Sequence, residues 1–421
     1  MSHDESHRSR TLALTTALHA FTHIYQMALV PLYLPMQAFY RRDSVDDATL
    51  LVTVLLVAYF LPSYAMGVMA DRFSRKKLLT VGLLINSLGF IGLAFAPSYP
   101  LALACVIVAG LGGSFFHPAA TALVAQLYPG TTGRALGTLG IGASVGFCLG
   151  PLYAGWRAQM TGDWRWPVAE LGVAGLVMAA LFAWLADEHP AERRSPTRPD
   201  QSTPTKHAGP EAGAPMFPTP ALWLMFLAAA FIFLLREFAG SSMSTVGSLF
   251  LPKARGFDLG RTGLTISVLF VASAISNPLF GHFSDRARLR WAATLIIISS
   301  GFVAAFPHVP VAWVVPVLLV YGFFFLASYP IVEAALMEAV PNAVRGRVFG
   351  LFITIGGLLG NLSHFIVGKW VESFGARKTE VAAYYPLYGW LAVFLLVSLL
   401  GLPCLRALRN REQAFNGGKV R

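Results

Sequence analysis

Long apolar runs alternate with short polar loops along this chain of 421 residues. A helix needs about 20 apolar residues to cross the hydrocarbon core of a bilayer, and runs of about that length recur twelve times. An even number of spans places both termini on one side of the membrane. The pattern therefore predicts an all-α integral membrane protein with spans at about 11–36, 48–69, 77–97, 101–127, 135–156, 165–186, 221–250, 262–283, 291–307, 311–340, 348–370 and 385–408.

The spans form two copies of one six-helix unit. A Gly-x-x-x-Asp-Arg signature ends the second span and recurs 214 positions later at the end of the eighth: Gly67, Asp71 and Arg72 correspond to Gly281, Asp285 and Arg286. Features of span four recur in span ten at offsets of 212 or 213: His117-Pro118, Pro129, Gly133-Arg134 and Gly137 correspond to Tyr329-Pro330, Pro341, Gly346-Arg347 and Gly350. We therefore expect two pseudo-symmetric six-helix bundles, at 1–186 and 220–421, joined by a disordered linker at 187–219 that is rich in Pro, Ala, Thr and mixed charge.

Composition and charge support the membrane assignment. Hydrophobic residues make up 55% of the chain and charged residues 13%, whereas soluble domains carry about 25% charged residues. Of the 32 lysines and arginines, 21 fall in loops on the side of the termini, 10 on the opposite side, and Arg236 lies inside a span. Because basic loops stay cytoplasmic, we expect both termini, and the short basic tail, inside the cell at the inner membrane. Basic clusters placed in this way argue against a nucleic-acid partner.

The sequence gives no reason to expect a cofactor, a metal ion or an enzyme. Its three cysteines, Cys105, Cys148 and Cys404, lie in apolar runs without metal-site spacing. The segment from Gly142 to Gly146 fits the nucleophile-elbow pattern of hydrolases, but that pattern needs a strand–turn–helix context, and here it lies within a span. The expected partners are a small-molecule substrate, protons and the lipid bilayer, with the protein acting as a monomer.

The repeated loop signature predicts a conformational latch. Gly67 lets its helix approach a neighbour closely, and Asp71 can cap a helix N-terminus or pair with Arg134. The latch is predicted to comprise Gly67, Asp71, Arg72, Arg134, Gly281, Asp285 and Arg286. A plain topogenic loop is the alternative explanation.

Together, the two loop signatures, the twelve spans and the central tether resemble the major facilitator superfamily of transporters over the whole chain. That family's loop pattern has a glycine two places after Asp-Arg, where this chain has Ser74. Span five also resembles the superfamily's antiporter signature, through Gly137, Gly146, Gly150 and Pro151, although its final glycine pair is Ala154-Gly155 here. Small residues at such spacing let helices pack backbone to backbone, so a simple packing motif is the alternative.

Ionisable and polar side chains within the spans are the candidate site residues, because they are costly at bilayer depth and seldom idle. The resemblance implies that spans one, four, seven and ten line a central cavity. The repeat offset carries His23 onto Arg236 and Glu237, so these groups should face each other. The predicted substrate-binding residues are His19, His23, Gln26, His117, Arg236, Asn361 and His364; the predicted proton-coupling residues are Glu237 and Glu333.

Alternatives to these roles stay open. Arg236 and a carboxylate such as Glu333 could form a fixed buried ion pair, and each histidine could be a hydrogen-bonded packing residue. After Glu237, the serines Ser241, Ser244 and Ser248 follow at helical spacing, which predicts a water-lined wall.

Phe116-His117-Pro118 in span four and parts of span one are also similar to fosmidomycin-resistance-type exporters. This resemblance implies efflux of a small polar or anionic compound. The sequence thus favours a secondary transporter that works by alternating access, with export in exchange for protons as the first choice. The alternatives are proton-coupled uptake of an organic acid, a lipid-moving carrier, and a transport-dead membrane receptor or assembly factor.

Overall fold

The computed structural model describes residues 3–128, 131–188, 216–284, 287–340 and 344–417. The described residues form helices and connecting turns, without strands. The N-terminal half contains α1 (His3–Met27), α2 (Tyr33–Phe39), α3 (Val45–Phe60), α4 (Ser63–Arg72), α5 (Arg75–Phe95), α6 (Tyr99–Gly113), α7 (Phe116–Leu127), α8 (Thr132–Thr161) and α9 (Arg165–Leu185), with a short 3-10 helix at Val30–Leu32 before α2.

The C-terminal half repeats this plan. It contains α10 (Pro220–Arg255), α11 (Leu259–Val271), α12 (Ser273–Ser284), α13 (Arg288–Ala305), α14 (Val314–Glu338), α15 (Arg345–Gly360), α16 (Ser363–Ser373), α17 (Tyr385–Ser398) and α18 (Gly401–Gly417). Short 3-10 helices at Phe306–His308, Val311–Trp313, Gly375–Thr379 and Val381–Tyr384 lie within the connections that precede α14 and α17. Most of the predicted linker, 189–215, lies outside the described residues.

Eleven of the described helical stretches are long and apolar enough to cross a membrane. The first predicted span, α1 with the 3-10 turn and α2, is helical but more polar. Its polar side chains His19, Thr22, His23 and Gln26 are buried, and α1 packs against α8 and α9. Polar residues of this helix thus face protein rather than lipid.

Helices pack within each half and also between the two halves. Within the halves, α1 packs on α8, α5 on α6 and α9, α13 on α14 and α17, and α10 on α15 and α18. Between the halves, α8 packs on α11 and α3 packs on α16. These two helix pairs make most of the contact between the halves, and the 3-10 turn at Val30–Leu32 adds contacts to α10 and α11.

The contacts between the halves lie toward the end of the molecule away from the termini, here called the far end. The backbone nitrogen of Val45 donates to Glu372 Oε2 across the halves at 3.2 Å, and that of Leu259 donates to Gln159 Oε1 at 3.3 Å. At the opposite end, which carries the termini, α4 packs on α7 of its own half, and Tyr64 on α4 is 82% exposed. We interpret this conformation as closed at the far end and open at the terminus end.

Candidate functional site

Three histidines of the N-terminal half form a compact group, here called the histidine cluster. His19 and His23 lie one turn apart on α1, and His117 lies at the start of α7. The Nε2 atoms of His19 and His23 are 3.1 Å apart, and one ring nitrogen from each of the three residues lies within 4.8 Å of the others. His19 and His23 are buried, whereas His117 is exposed. The cluster thus has two buried members and one that is accessible.

Hydrogen bonds hold the two buried rings in place. His19 Nδ1 lies 2.8 Å from the carbonyl oxygen of Leu139 on α8. His23 Nδ1 lies 2.8 Å from Gln26 Oε1, one turn further along α1. A carbonyl oxygen only accepts, so the neutral His19 ring carries its proton on Nδ1, and its Nε2 carries none.

The glycines of span five allow α1 to approach α8 closely. A Cβ atom added to Gly146 would lie 2.2 Å from the carbonyl oxygen of Ala20 and 2.9 Å from His23 Cβ. Gly150 is similarly tight against Ile24, whereas an added Cβ on Gly137 meets nothing within 4 Å. Glycines of the antiporter-like signature therefore set the distance between α8 and the helix that carries the histidines.

The remainder of that signature lies at the interface between the halves. A Cβ added to Gly263 on α11 would lie 2.3 Å from the carbonyl oxygen of Pro151, and one added to Gly155 would lie 2.5 Å from the carbonyl oxygen of Leu259. Backbone-to-backbone packing of this kind depends on small residues. The signature thus serves two interfaces, one within the N-terminal half and one between the halves.

In the C-terminal half, Arg236 lies in the middle of α10 with a fully buried side chain. Its Nη2 donates to Glu237 Oε1 at 2.7 Å, and its Nη1 donates to the carbonyl oxygen of Ser328 at 3.2 Å. The guanidinium also lies 4.2 Å from the ring centroid of Tyr329. These groups stabilise a cation in a place where an unpaired charge would be very costly.

Two carboxylates lie near this guanidinium, and the three residues together are here called the arginine site. The ion pair described for Arg236 is with Glu237, while Glu333 on α14 interacts with both at longer range. The side chain of Glu237 is 22% exposed, and a Cβ added to Gly360 on α15 would lie 2.8 Å from its Cβ. The carboxylate of the pair is therefore the more accessible partner, lying between α10 and α15.

The predicted water-lined wall is wrong for this conformation at two of its three positions. Ser244 and Ser248 are 4% and 1% exposed, and the Ser248 hydroxyl donates to the carbonyl oxygen of Thr245. Ser241 is partly exposed and lies 3.5 Å from Asn361 Oδ1. The reason is that this part of α10 runs into the closed far end.

His364 also belongs to the closed end in this conformation. Its Nδ1 lies 2.6 Å from the hydroxyl of Thr245 and 2.9 Å from the hydroxyl of Tyr33. Because Tyr33 belongs to the first half, this contact crosses the interface. Asn361, at the junction of α15 and α16, donates to the carbonyl oxygen of Gly357 at 2.6 Å. Both predicted binding residues of span eleven thus contact the first half, because the carbonyl oxygen of Asn361 accepts from the Thr53 hydroxyl at 3.5 Å.

Only part of the predicted latch can be located. Asp285 and Arg286 lie outside the described residues, as do the side-chain surroundings of Asp71 and Gly281. Arg72 and Arg134 are exposed, and an added Cβ on Gly67 would lie 3.9 Å from Pro118, in ordinary contact. The role of these residues as a latch stays a prediction.

Glu188, which the sequence analysis did not single out, caps the helix that follows the first loop signature. The backbone nitrogens of Arg75 and Lys76 donate to its carboxylate at 2.9 and 3.2 Å. Ser74, which stands where the family pattern has glycine, donates its hydroxyl to Glu188 and accepts from the backbone nitrogen of Lys77. The departure from the family pattern is therefore an N-cap. In the sequence Glu188 follows the end of α9, far from the start of α5, so local spacing gave no signal for this contact.

Glu372 contacts the start of a helix at the far end, as Glu188 does at the start of α5. It accepts from the first residue of α3, Val45, across the halves, and its other oxygen accepts from Lys378 at 3.0 Å. From sequence, Glu372 is one of several loop-proximal carboxylates, and nothing in the pattern indicates that it meets α3. Such a partner is set by how the two halves dock.

Comparison with known proteins agrees with this architecture. The family description "Major Facilitator Superfamily" matches residues 12–364. The fosmidomycin resistance protein of Escherichia coli K12 is 21% identical over 385 residues, covering 90% of each chain. The multidrug resistance protein 2 of Bacillus subtilis 168 is 27% identical over 397 residues, covering 90% of this chain and 92% of the relative.

Solved structures share the fold at low identity. A bacterial homologue of the human lysosomal transporter Spinster, in an inward-facing and unoccupied conformation, superposes with a TM-score of 0.73 at 17% identity, covering 96% of this chain and 97% of the other. A D-xylose–proton symporter superposes with a TM-score of 0.71 at 14% identity, covering 94% and 97%. Because the family description matches residues 12–364, most of its length, this chain belongs to the major facilitator superfamily of membrane transporters.

Proposed function

We propose that this transporter exports a small polar or anionic compound across the bacterial plasma membrane in exchange for protons, with both termini in the cytoplasm. The observation that carries the proposal is the buried Arg236 beside the more accessible Glu237. The names of the relatives, fosmidomycin resistance and multidrug resistance, favour efflux. On this assignment the open terminus end faces the cytoplasm, where an exporter loads.

The arginine site offers a donor and an acceptor side by side. The guanidinium attracts a carbonyl or anionic oxygen of the cargo, while the ionised carboxylate of Glu237 or Glu333 accepts from a hydroxyl or amine of the same molecule. Protonating that carboxylate removes the acceptor and weakens cargo binding. This mutual exclusion of proton and cargo is what exchange requires.

A purely anionic cargo should show the opposite effect of protonation on cargo binding. It competes with Glu237 for Arg236, and the displaced carboxylate then takes up a proton, so cargo and proton bind together. That linkage belongs to proton-coupled uptake, the second candidate. The pH dependence of cargo binding therefore separates the two: affinity falls on acidification for exchange and rises for co-transport.

The available driving force fits exchange. One inward proton crossing 100 mV supplies about 2.3 kcal/mol, which corresponds to roughly a fifty-fold gradient of a neutral cargo, because 1.4 kcal/mol is about tenfold. An outward gradient of this size is enough to lower the cytoplasmic concentration of a toxic compound.

Right-side-out vesicles containing the protein test the direction. Fosmidomycin, suggested by one relative's name, is the first probe, followed by a panel of drugs and metabolites. An imposed inward proton gradient should deplete preloaded probe; accumulation would instead indicate uptake. If no probe moves in either direction although folded protein is present, a transport-dead receptor is favoured.

Two substitutions test the site. Glu237→Gln and Arg236→Gln should abolish proton-driven flux while the protein is still inserted in the membrane. Glu338→Gln is the matched control, because Glu338 is a carboxylate of α14 that pairs with Arg288 and Arg409 outside the arginine site. Flux that persists in both site variants contradicts the assignment.

A further inference from the structure

The proposed proton exchange at the arginine site gives no role to the close approach of the three histidines in the histidine cluster. Its three imidazoles come from two helices, and a ring nitrogen from each lies within 4.8 Å of the others. We propose that His19, His23 and His117 form a binding site for a divalent transition-metal ion of the zinc class, with one coordination position left open toward the space beside His117.

The first argument is the tautomer of the two buried rings. His19 Nδ1 faces a carbonyl oxygen of α8, and His23 Nδ1 faces the side-chain oxygen of Gln26. Since each of these oxygens only accepts, each Nδ1 carries the proton and each Nε2 has a bare lone pair. The two lone pairs face each other at 3.1 Å, an arrangement that repels unless a cation lies between them.

The second argument is metric. Zinc–imidazole bonds measure about 2.0–2.1 Å. Two nitrogens 3.1 Å apart that bind one ion at this distance form an N–metal–N angle of about 98°. That angle is intermediate between octahedral and tetrahedral coordination. The His117 ring lies beside both, with its centroid 5.3 Å from that of His19 and 5.8 Å from that of His23, so it is placed to supply the third nitrogen.

The third argument is the surrounding support. Histidine ligands of metals usually donate their second N–H to a carbonyl or carboxylate, which orients the ring, and both buried histidines here have such a partner. His19 also stacks on Phe116 at 4.7 Å, and His23 lies 4.1 Å from Phe147. The rings are therefore held before an ion arrives.

The charge of the site indicates what fills the open position. Three neutral imidazoles leave a dication with its full charge, and among the described residues no carboxylate joins the cluster. An oxygen anion, either hydroxide or an anionic group of a chelating cargo, suits that position best. The metal site does not depend on the proposed direction of transport.

One competing arrangement needs no ion. With the amide of Gln26 reversed, its NH₂ group donates to His23 Nδ1, and His23 Nε2–H then donates to His19 Nε2. The reversed amide also turns its oxygen toward the side on which the Tyr59 hydroxyl, buried without a partner, is available. That neutral chain leaves no lone pair free on His19, and it therefore predicts no metal binding.

Cobalt titration separates the two arrangements. The purified full chain, without a histidine tag and in detergent, is titrated with Co²⁺ while the visible d–d absorption is followed. We expect saturation at a single equivalent per chain, with the bands removed by added Zn²⁺. His117→Gln, which changes an exposed ring, and His23→Gln should lose the bands, whereas His282→Gln, an exposed histidine of α12 outside the cluster, should keep them.

Gln26 supplies a second test. Gln26→Leu removes the partner of His23 and should weaken Co²⁺ binding by about 10–100-fold, whereas Gln26→Glu should tighten it. Absence of saturable binding to the wild-type protein, or equal binding by the His117→Gln variant, overturns the site. Because binding is measured without transport, that result leaves proton-driven export standing, and a failed flux assay leaves the metal result standing.

Discussion

At the scale of single residues, the arginine site depends on how a full positive charge is kept inside the protein. Arg236 has one carboxylate partner, one carbonyl acceptor and an aromatic face, from Glu237, Ser328 and Tyr329. Its Nε atom is buried without a described partner. The aromatic ring therefore replaces part of the hydration that the guanidinium loses.

The contribution of Tyr329 can be measured. Tyr329→Leu removes the ring and should lower the stability of the protein by about 0.5–2 kcal/mol, the range for a cation–π contact. Tyr329→Phe keeps the ring face and should lose clearly less. Thermal unfolding of the two purified variants in the same detergent compares them. Equal losses would show that the hydroxyl, rather than the ring face, carries the effect.

What the sequence could predict at this scale follows from local spacing. His19 and His23 lie one turn apart on a single helix, so their proximity was predictable, and the structure adds His117 to them. Tyr33 and His364 are 331 positions apart, and Glu372 meets Val45 over a similar separation. Such pairs depend on the docking of the halves, which hydrophobic periodicity does not encode.

At the scale of helices, the approach of α1 to α8 rests on glycine. An alanine at Gly146 places its Cβ 2.2 Å from the carbonyl oxygen of Ala20, so one backbone has to move, and overpacking of this kind costs about 1–3 kcal/mol. The same substitution at Gly137 meets nothing within 4 Å and adds helix propensity.

The paired glycine variants make this argument testable. Gly146→Ala should lower the unfolding temperature, whereas Gly137→Ala should leave it unchanged or raise it slightly. If both variants behave alike, backbone contact is not what the signature provides at Gly146. Comparison on the same helix, in the same half, removes most differences in background.

Span positions were predictable from hydrophobic runs, whereas breaks within them were not. Spans one, two, four, eight, eleven and twelve are each divided, for example between α6 and α7 at Ser114-Phe115. Pro118 falls in the first turn of α7, where its missing N–H costs little. In the matching span ten, Pro330 lies inside the unbroken α14. Matching prolines of the two halves therefore lie in different backbone settings.

At the scale of the whole molecule, several hydrogen bonds join the halves at the far end, beside the close packing of α8 on α11 and of α3 on α16. Thr53 accepts from the backbone nitrogen of Phe365 at 3.1 Å, Tyr33 meets His364, and Glu372 accepts from Val45. Hydrogen bonds of this kind are exchanged for hydrogen bonds to water when the halves separate. They suit an interface that opens and closes in alternating access.

Glu372 is the contact whose loss should shift that equilibrium most directly. Its carboxylate lies at the positive end of the α3 dipole and belongs to the other half. Glu372→Ala removes a charged acceptor only from the closed state, so the balance should move toward far-end opening by about 1–2 kcal/mol, roughly a five- to thirty-fold change in population. Glu372→Gln, which keeps an acceptor oxygen, should shift it less.

Distances between spin labels would measure the shift. Labels at Asp43→Cys and Thr379→Cys, both exposed at the far end, are introduced after replacing the three native cysteines. Glu372→Ala should increase the long-distance fraction, whereas Glu380→Ala, a neighbouring carboxylate that pairs locally with Arg377, should not. An unchanged distribution in Glu372→Ala would mean that backbone packing of Gly155 against Gly263, rather than this carboxylate, holds the far end shut.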